Sequence, residues 1–281
     1  MVNKTVIKHT LRSALIILFP GMMISCGETN ELPNRSYELV WEDDFDGITG
    51  DSPDTINNWT FEIGTGDNGW GNQELQYYTN RTENAVLDGK GNLIITAIQE
   101  SFEGSEYTSA RMITKDKREF QYGRIEARLI TPFSQGLWPA FWMLGADIDE
   151  NPWPAAGEID IMELRGQEPR TIAGSIHGPG YSAGDAITSD FTLVDARFDT
   201  DFHVFAVEWG PNFIDFYVDD MLYQQLTPES IPVGSEWVFD KDFFILLNVA
   251  VGGNYVGPPG DNSRFPQTMI VDYVRVYEQI Q

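Results

Sequence analysis

The chain has 281 residues, of which 42% are hydrophobic and 13% aromatic, and a formal net charge of −25. This is enough apolar mass for one large β domain, while so acidic a surface repels phosphate backbones and excludes nucleic acid as a partner. With one cysteine and three histidines in all, an intrachain disulfide is excluded and a catalytic zinc site is disfavoured.

At the N-terminus, Lys4, Lys8 and Arg12 precede the apolar run "ALIILFPGMMI", residues 14–24. A charged start and a short apolar core form a secretory signal pattern, too short for a stable membrane span. The run ends in "MISC", residues 23–26, which resembles a bacterial lipoprotein processing box. Residues 1–25 are therefore expected to be a signal peptide and Cys26 the lipidated residue. Residues 26–36 form a polar tether, and residues 37–281 a single domain. The mature chain is expected in the cell envelope, held by a lipid, with the outer membrane as the first expectation. No later stretch is long and apolar enough to cross a bilayer as a helix.

Strand candidates follow in order: "GNLIITA" (91–97), "GRIEARLI" (123–130), "TIAGSIH" (171–177), "HVFAVEW" (203–209), "FIDFYVDD" (213–220), "FFILLNVAV" (243–251) and "MIVDYVRVY" (269–277). Each is rich in β-branched and aromatic residues and is bounded by turn formers. "RIEARLI" and "HVFAVEW" alternate, so one face of each should be buried. "FFILLNVAV" is apolar on both faces except at Asn248, which predicts a central strand with a hydrogen-bonded asparagine. There is no capped helical period and no internal repeat. The expected fold is all-β, a two-sheet antiparallel sandwich.

The stretch "GEIDIMEL", 157–164, carries Glu158, Asp160 and Glu163. On a strand Glu158 and Asp160 share a face, but Glu163 falls five residues after Glu158 and would point the other way. One extra residue, Met162 or Ile161 with it, bulged into the strand would bring Glu163 back. The two glutamates would then stand roughly 13 Å apart at Cα. Retaining cleavage of a glycosidic bond needs such a carboxyl pair, one ionised and one protonated. Crowded carboxylates cannot all ionise, so one of the three should hold its proton. Bare spacing leaves a second reading open: three solvated carboxylates on a wet strand face. Nearby stretches favour a site. "GLWPAFWMLG" carries Trp138 and Trp142, and "NGWGNQELQYY" sets Trp70, Asn72, Glu74 and Tyr77 in a Gly-rich loop. Large aromatics among Gly and Pro suit a groove wall.

Taken with "LVWEDDFDG", "YTSARMITK", "SIHGPGY", "FAVEW" and "FILLNVAVGGNYVGPP", these stretches resemble glycoside hydrolase family 16, in its laminarinase-like endo-β-1,3-glucanase branch. The resemblance runs from residue 39 to residue 277. It implies a β-jelly-roll with an open cleft on a concave sheet. It also implies a retaining mechanism with Glu158 as nucleophile, Asp160 as assisting carboxylate and Glu163 as general acid/base. Asn72, Glu74, Arg111, Trp138, Trp142, His177 and Trp209 are implied around the sugar subsites, with His177 near the acid/base; His203 reads as structural. No cofactor is implied for catalysis. A structural calcium is implied at Asp44, the Gly91 carbonyl and Asp272, with a plain salt bridge as the alternative for Asp272.

The expectation is a monomeric hydrolase of β-1,3-glucan, working by double displacement through a covalent glycosyl-enzyme. Two alternatives stay open. One keeps the mechanism on mixed-linkage β-glucan or on a galactan such as agarose; the other is a non-catalytic glucan-binding protein.

Overall fold

The computed structural model describes residues 34–280. The expected signal segment and Cys26 lie outside these residues. Two sheets stack face to face. The first has the strand order Ile187–Thr192, Thr171–His177, Glu158–Leu164, Leu137–Gly145, Phe243–Val251, Arg111–Ile113, Thr60–Phe61, with Glu119–Phe120 beside Phe243–Val251. The second is built around Gln267–Ile280, which pairs with Ser36–Asp43, Leu93–Phe102 and Gly123–Ile130. It continues through His203–Gly210, Phe213–Val218 and Met221–Leu226. Pairing is antiparallel except at Gln76–Tyr78, which runs parallel to Ser105–Ser109.

All seven strand candidates are strands. Phe243–Val251 is central, with every residue buried. Leu137–Gly145 is a strand that propriety of pattern hides, because Pro139 sits inside it and proline normally marks an edge. Its pairing to Glu158–Leu164 begins only at Ala140, so the missing N–H falls outside that ladder.

Between the sheets lies one large apolar core. Phe141, Met143, Ile159, Leu164, Ile245 and Leu247 enter from the first sheet, and Ile125, Leu129, Phe205, Phe216, Met269 and Val274 from the second. Burial of this apolar surface is what holds the two layers together. Because alternate residues of the first sheet's strands face this core, the others face outward, and there they floor a cleft.

Candidate active site

The bulge is present. On one side, Trp142 opposes Asp160 and Phe141 opposes Met162, leaving Ile161 without a partner. On the other, Asp160 opposes Ser175 and Glu163 opposes Ala173, so Ile161 and Met162 together face Gly174. Both side chains turn into the core, with Ile161 1% and Met162 0% exposed. Two consecutive inward residues reset the alternation, and Glu158, Asp160 and Glu163 share the outer face. Gly174 has no room for a side chain. A Cβ there would lie 2.2 Å from the Tyr223 hydroxyl and 2.8 Å from the Phe216 ring.

The outer face opens into a cleft of about 600 Å³. Glu158 and Glu163 line it; Asp160 lies between them, 2% exposed. Trp138 and Trp142, four apart on Leu137–Gly145, rise from its floor. Trp138 donates its indole N–H to Glu163 Oε1 at 2.8 Å, and its ring packs 5.1 Å from that of Tyr255. Trp142 donates to Asn248 Oδ1 at 2.7 Å, and Asn248 donates to the Tyr78 hydroxyl at 3.1 Å. This accounts for the one polar residue in an otherwise apolar strand. The Arg111 guanidinium sits between two indoles, 4.5 Å from the Trp70 ring and 4.9 Å from the Trp142 ring, and ion-pairs with Glu62. Stacking of this kind locks both rings as flat walls.

Trp70 is held in a tight turn whose backbone is left-handed at Trp70, Gly71 and Gln73, with φ of 54°, 79° and 60°. Asn72 lines the cleft and donates to Glu74 Oε1 at 3.2 Å. Glu74 does not line it. It stands one layer behind, accepting from Gln76 at 2.7 Å and from Tyr78 at 3.2 Å, and burial raises its pKa. Its place is to tie the Asn72 turn to the sheet.

His177 lines the cleft opposite Glu158 across the strand pair. Its Nδ1 accepts the Ala183 N–H at 3.1 Å, which puts the proton of the neutral ring on Nε2. Nε2 lies 2.9 Å from Asp160 Oδ2, yet that buried oxygen has no hydrogen-bond donor among the described residues. Among the described residues the carboxylate within ion-pair distance of His177 is thus the middle one rather than the acid/base. Glu158, Asp160 and His177 offer three atoms within 4.8 Å of one another, close enough for a metal. The tautomer opposes it, since the Nε2 lone pair a metal would need carries the proton.

Trp209 departs from expectation. It stands in His203–Gly210 of the second sheet, 1% exposed, with its ring 5.1 Å from Tyr122 and 5.2 Å from Phe243. Its N–H donates to the Phe239 carbonyl at 2.9 Å. An indole that fills the core and spends its donor on backbone cannot touch sugar. His203 pairs with Asp219 at 2.6 Å, away from the cleft.

The cation residues come together only in part. A Cβ on Gly91 would lie 3.7 Å from the Asp44 carbonyl and 3.6 Å from Asp46 Oδ1, so an all-oxygen set does gather there. The Asp44 carboxylate, however, pairs with Arg275 at 3.0 Å, and the Asp272 carboxylate pairs with Arg128 at 2.5 Å. Asp272 therefore takes its salt-bridge alternative, and Asp46 is the carboxylate beside Gly91 that has no ion pair among the described residues.

Two aromatic cleft residues escaped the sequence reading. Trp153 donates to Glu158 Oε2 at 2.6 Å, and Tyr255 packs on Trp138 under the Arg165 guanidinium at 4.2 Å. The signal for Trp153 was the "WP" pair five residues before Glu158; for Tyr255 it was the Gly-rich stretch after the central strand.

The carboxyls are electrostatically strained. Burial pushes Glu158 up to about 8, helped by the charge of Asp160. Burial and then Glu158 push Glu163 up to about 7. Asp160 is raised well above the usual range by burial and by Glu163. Such a set titrates as a unit, and at neutral pH it keeps at least one proton. One ionised and one protonated carboxyl on a single open cleft floor can attack an acetal carbon and protonate its leaving oxygen. An all-β sandwich with this floor and these indole walls is a polysaccharide-cleaving glycoside hydrolase.

Comparison with known proteins agrees. The family model Glycosyl hydrolases family 16 matches residues 70–247. A β-glucanase of Rhodothermus marinus is 41% identical over 277 residues, covering 95% of this chain and 93% of that protein. The endo-β-1,3-glucanase structure from Pyrococcus furiosus is 45% identical with a TM-score of 0.84, covering 89% of this chain and 98% of that one. The laminarinase catalytic domain of Thermotoga maritima is 46% identical with a TM-score of 0.81, covering 87% and 99%. The chain belongs to glycosyl hydrolase family 16.

Proposed function

We propose that the chain is a retaining endo-hydrolase of β-1,3-glucan. The observation that carries this is the bulge at Ile161 and Met162, which sets three carboxyls on one cleft floor. Glu158 attacks the anomeric carbon while Glu163 protonates the departing glycosidic oxygen. Glu163 then takes a proton from water, which releases the sugar from Glu158 with its β configuration kept. Asp160, between them and with no donor on Oδ2 among the described residues, shares a proton with whichever neighbour is ionised. Trp138, Trp142, Trp70 and Tyr255 stack on sugar faces, and Asn72 and Arg111 reach hydroxyls. β-1,3 linkage is favoured because the Pyrococcus furiosus structure, aligned over 89% of this chain, is named an endo-β-1,3-glucanase. Incubation with laminarin should release reducing ends, first in the β form by NMR. Glu158→Ala should abolish this; α product or unchanged turnover would sink the reading.

Two lesser proposals accompany it. The first is export and lipidation at Cys26, checked by incorporation of labelled palmitate that is lost in Cys26→Ser. The second is a structural calcium held by the Asp44 and Gly91 carbonyls with the Asp46 carboxylate, checked by a lower melting temperature in EDTA that added calcium restores.

A further inference from the structure

Double displacement as written uses Glu158, Asp160 and Glu163 and leaves one short contact without a role. Trp153 sits in the turn just before the catalytic strand and is 43% exposed. An indole left that open contributes little to the core. Yet its N–H points inward, to Glu158 Oε2 at 2.6 Å, and its ring lies 6.0 Å from that of His177. No N–H donor reaches Oε1 among the described residues. Trp138 makes the matching contact to Glu163 from the opposite side of the floor.

We propose that Trp153 is a positioning residue for the nucleophile: its indole N–H clamps Glu158 Oε2, stabilises the ionised carboxylate and leaves Oε1 to attack. The inference rests on the reading of Glu158 as nucleophile.

The charge surroundings make the donor matter. Glu158 faces Asp160 and Glu163 along its own strand, and His177 from Thr171–His177. From Leu137–Gly145 it meets only uncharged side chains. Arg165 and Tyr255 act on Glu163, and Arg111 is committed to Glu62. Burial and Asp160 both work against ionisation of Glu158. His177 and then a hydrogen bond to the charged form oppose them, and a turn residue, Trp153, supplies that bond.

The experiment is kcat/KM on laminarin against pH for wild type, Trp153→Phe and Trp138→Phe. Phe keeps the ring and removes only the donor. Because Glu158 is held at about 8 and Glu163 at about 7, the basic limb belongs to Glu158 and the acidic limb to Glu163. For Trp153→Phe the basic limb should move up by about one pH unit, the acidic limb should hold, and KM should stay within about twofold. For Trp138→Phe the acidic limb should move instead, because its partner is the acid/base. Trp153→Tyr, whose hydroxyl can donate, should return the basic limb part of the way. The rate at which an activated 2-deoxy-2-fluoro laminaribioside labels Glu158 needs that carboxyl ionised and no acid for its leaving group, so its single limb should move up by the same amount in Trp153→Phe. An unmoved basic limb, or a raised KM with an unchanged pH profile, would overturn the proposal and leave Trp153 a sugar wall. If Glu158→Ala still cleaves laminarin, the functional reading fails. If that variant is dead and the limb is unmoved, only the inference fails.

Discussion

The two outer faces of the sandwich bury acids to a similar degree and treat them in opposite ways. On the second sheet, Arg35 reaches Glu208 at 2.7 Å and Asp215 at 2.8 Å, while Arg124 reaches Glu126 at 2.8 Å. Tyr217, Tyr273 and Tyr277 add hydroxyl donors to Glu208 and Glu126. On the cleft face, no lysine or arginine among the described residues ion-pairs with Glu158, Asp160 or Glu163; the donors are the indoles of Trp153 and Trp138. A guanidinium neutralises a buried carboxylate and makes it structural. An indole holds a carboxylate in place without cancelling its charge, so the proton stays negotiable. Sequence composition treats these acids alike, and only their neighbours separate a scaffold from a reactive site.

The sharpest way to break the comparison is to neutralise one acid on each face. Glu158→Gln should lower kcat/KM on laminarin by about a thousandfold or more, equivalent to about 4 kcal/mol of transition-state stabilisation, because the nucleophile is gone. Glu208→Gln should leave kcat/KM within about twofold. Comparable losses in the two variants, both with native melting curves, would mean that the faces are not distinct in function.

The converse cut is smaller and reads out in stability. Arg35→Ala strands Glu208 and Asp215 without their shared cation and also removes a guanidinium stacked 3.8 Å from the Phe213 ring. Urea unfolding should show a loss of about 2–4 kcal/mol, with turnover of the remaining folded protein nearly unchanged. A loss below about 0.5 kcal/mol would place the network among ordinary surface ion pairs.

Much of this contrast was legible in the chain, though unevenly. The strand set was legible because β-branched alternation is a local property. Leu137–Gly145 was not, since Pro139 breaks the local rule and only the late start of its ladder excuses it. The three acids were legible through a failure of period, as an odd offset within a strand demands a bulge if the residues are to act together. Whether Ile161 or Met162 provides it is a matter of register, and the two share the task. Trp209 shows the limit. An alternating strand says which residues share a face, not which face looks at the core, and in "FAVEW" the tryptophan shares its face with the apolar positions. Trp153 was missed for the opposite reason. It lies in a turn, where no period operates, and its contact depends on how the chain re-enters the sheet.

The finest consequence of the unpaired face is a stability cost that grows with pH. Glu158 and Glu163 are held up to about 8 and about 7, against 4.5 in a solvated chain. Below that ordinary value, both the folded and the unfolded protein carry the protons, and the site costs nothing by this route. As pH rises through 4.5, the unfolded chain sheds its protons while the fold retains them. Unfolding then gains free energy until the folded carboxyls also ionise near 7 and 8. Stability is thus present at low pH and is lost on the way to pH 8. A glutamine cannot titrate, so Glu163→Gln should melt level with wild type near pH 4.5 and a few degrees above it at pH 8. Coupling within the trio and the open cleft hold the gain to about 1–2 kcal/mol. Differential scanning calorimetry across that range checks it. A gap that is constant with pH would point to packing rather than charge, and a gap that shrinks toward pH 8 would mean that the carboxyls are stabilised as anions, in which case the cleft face would resemble the paired face after all.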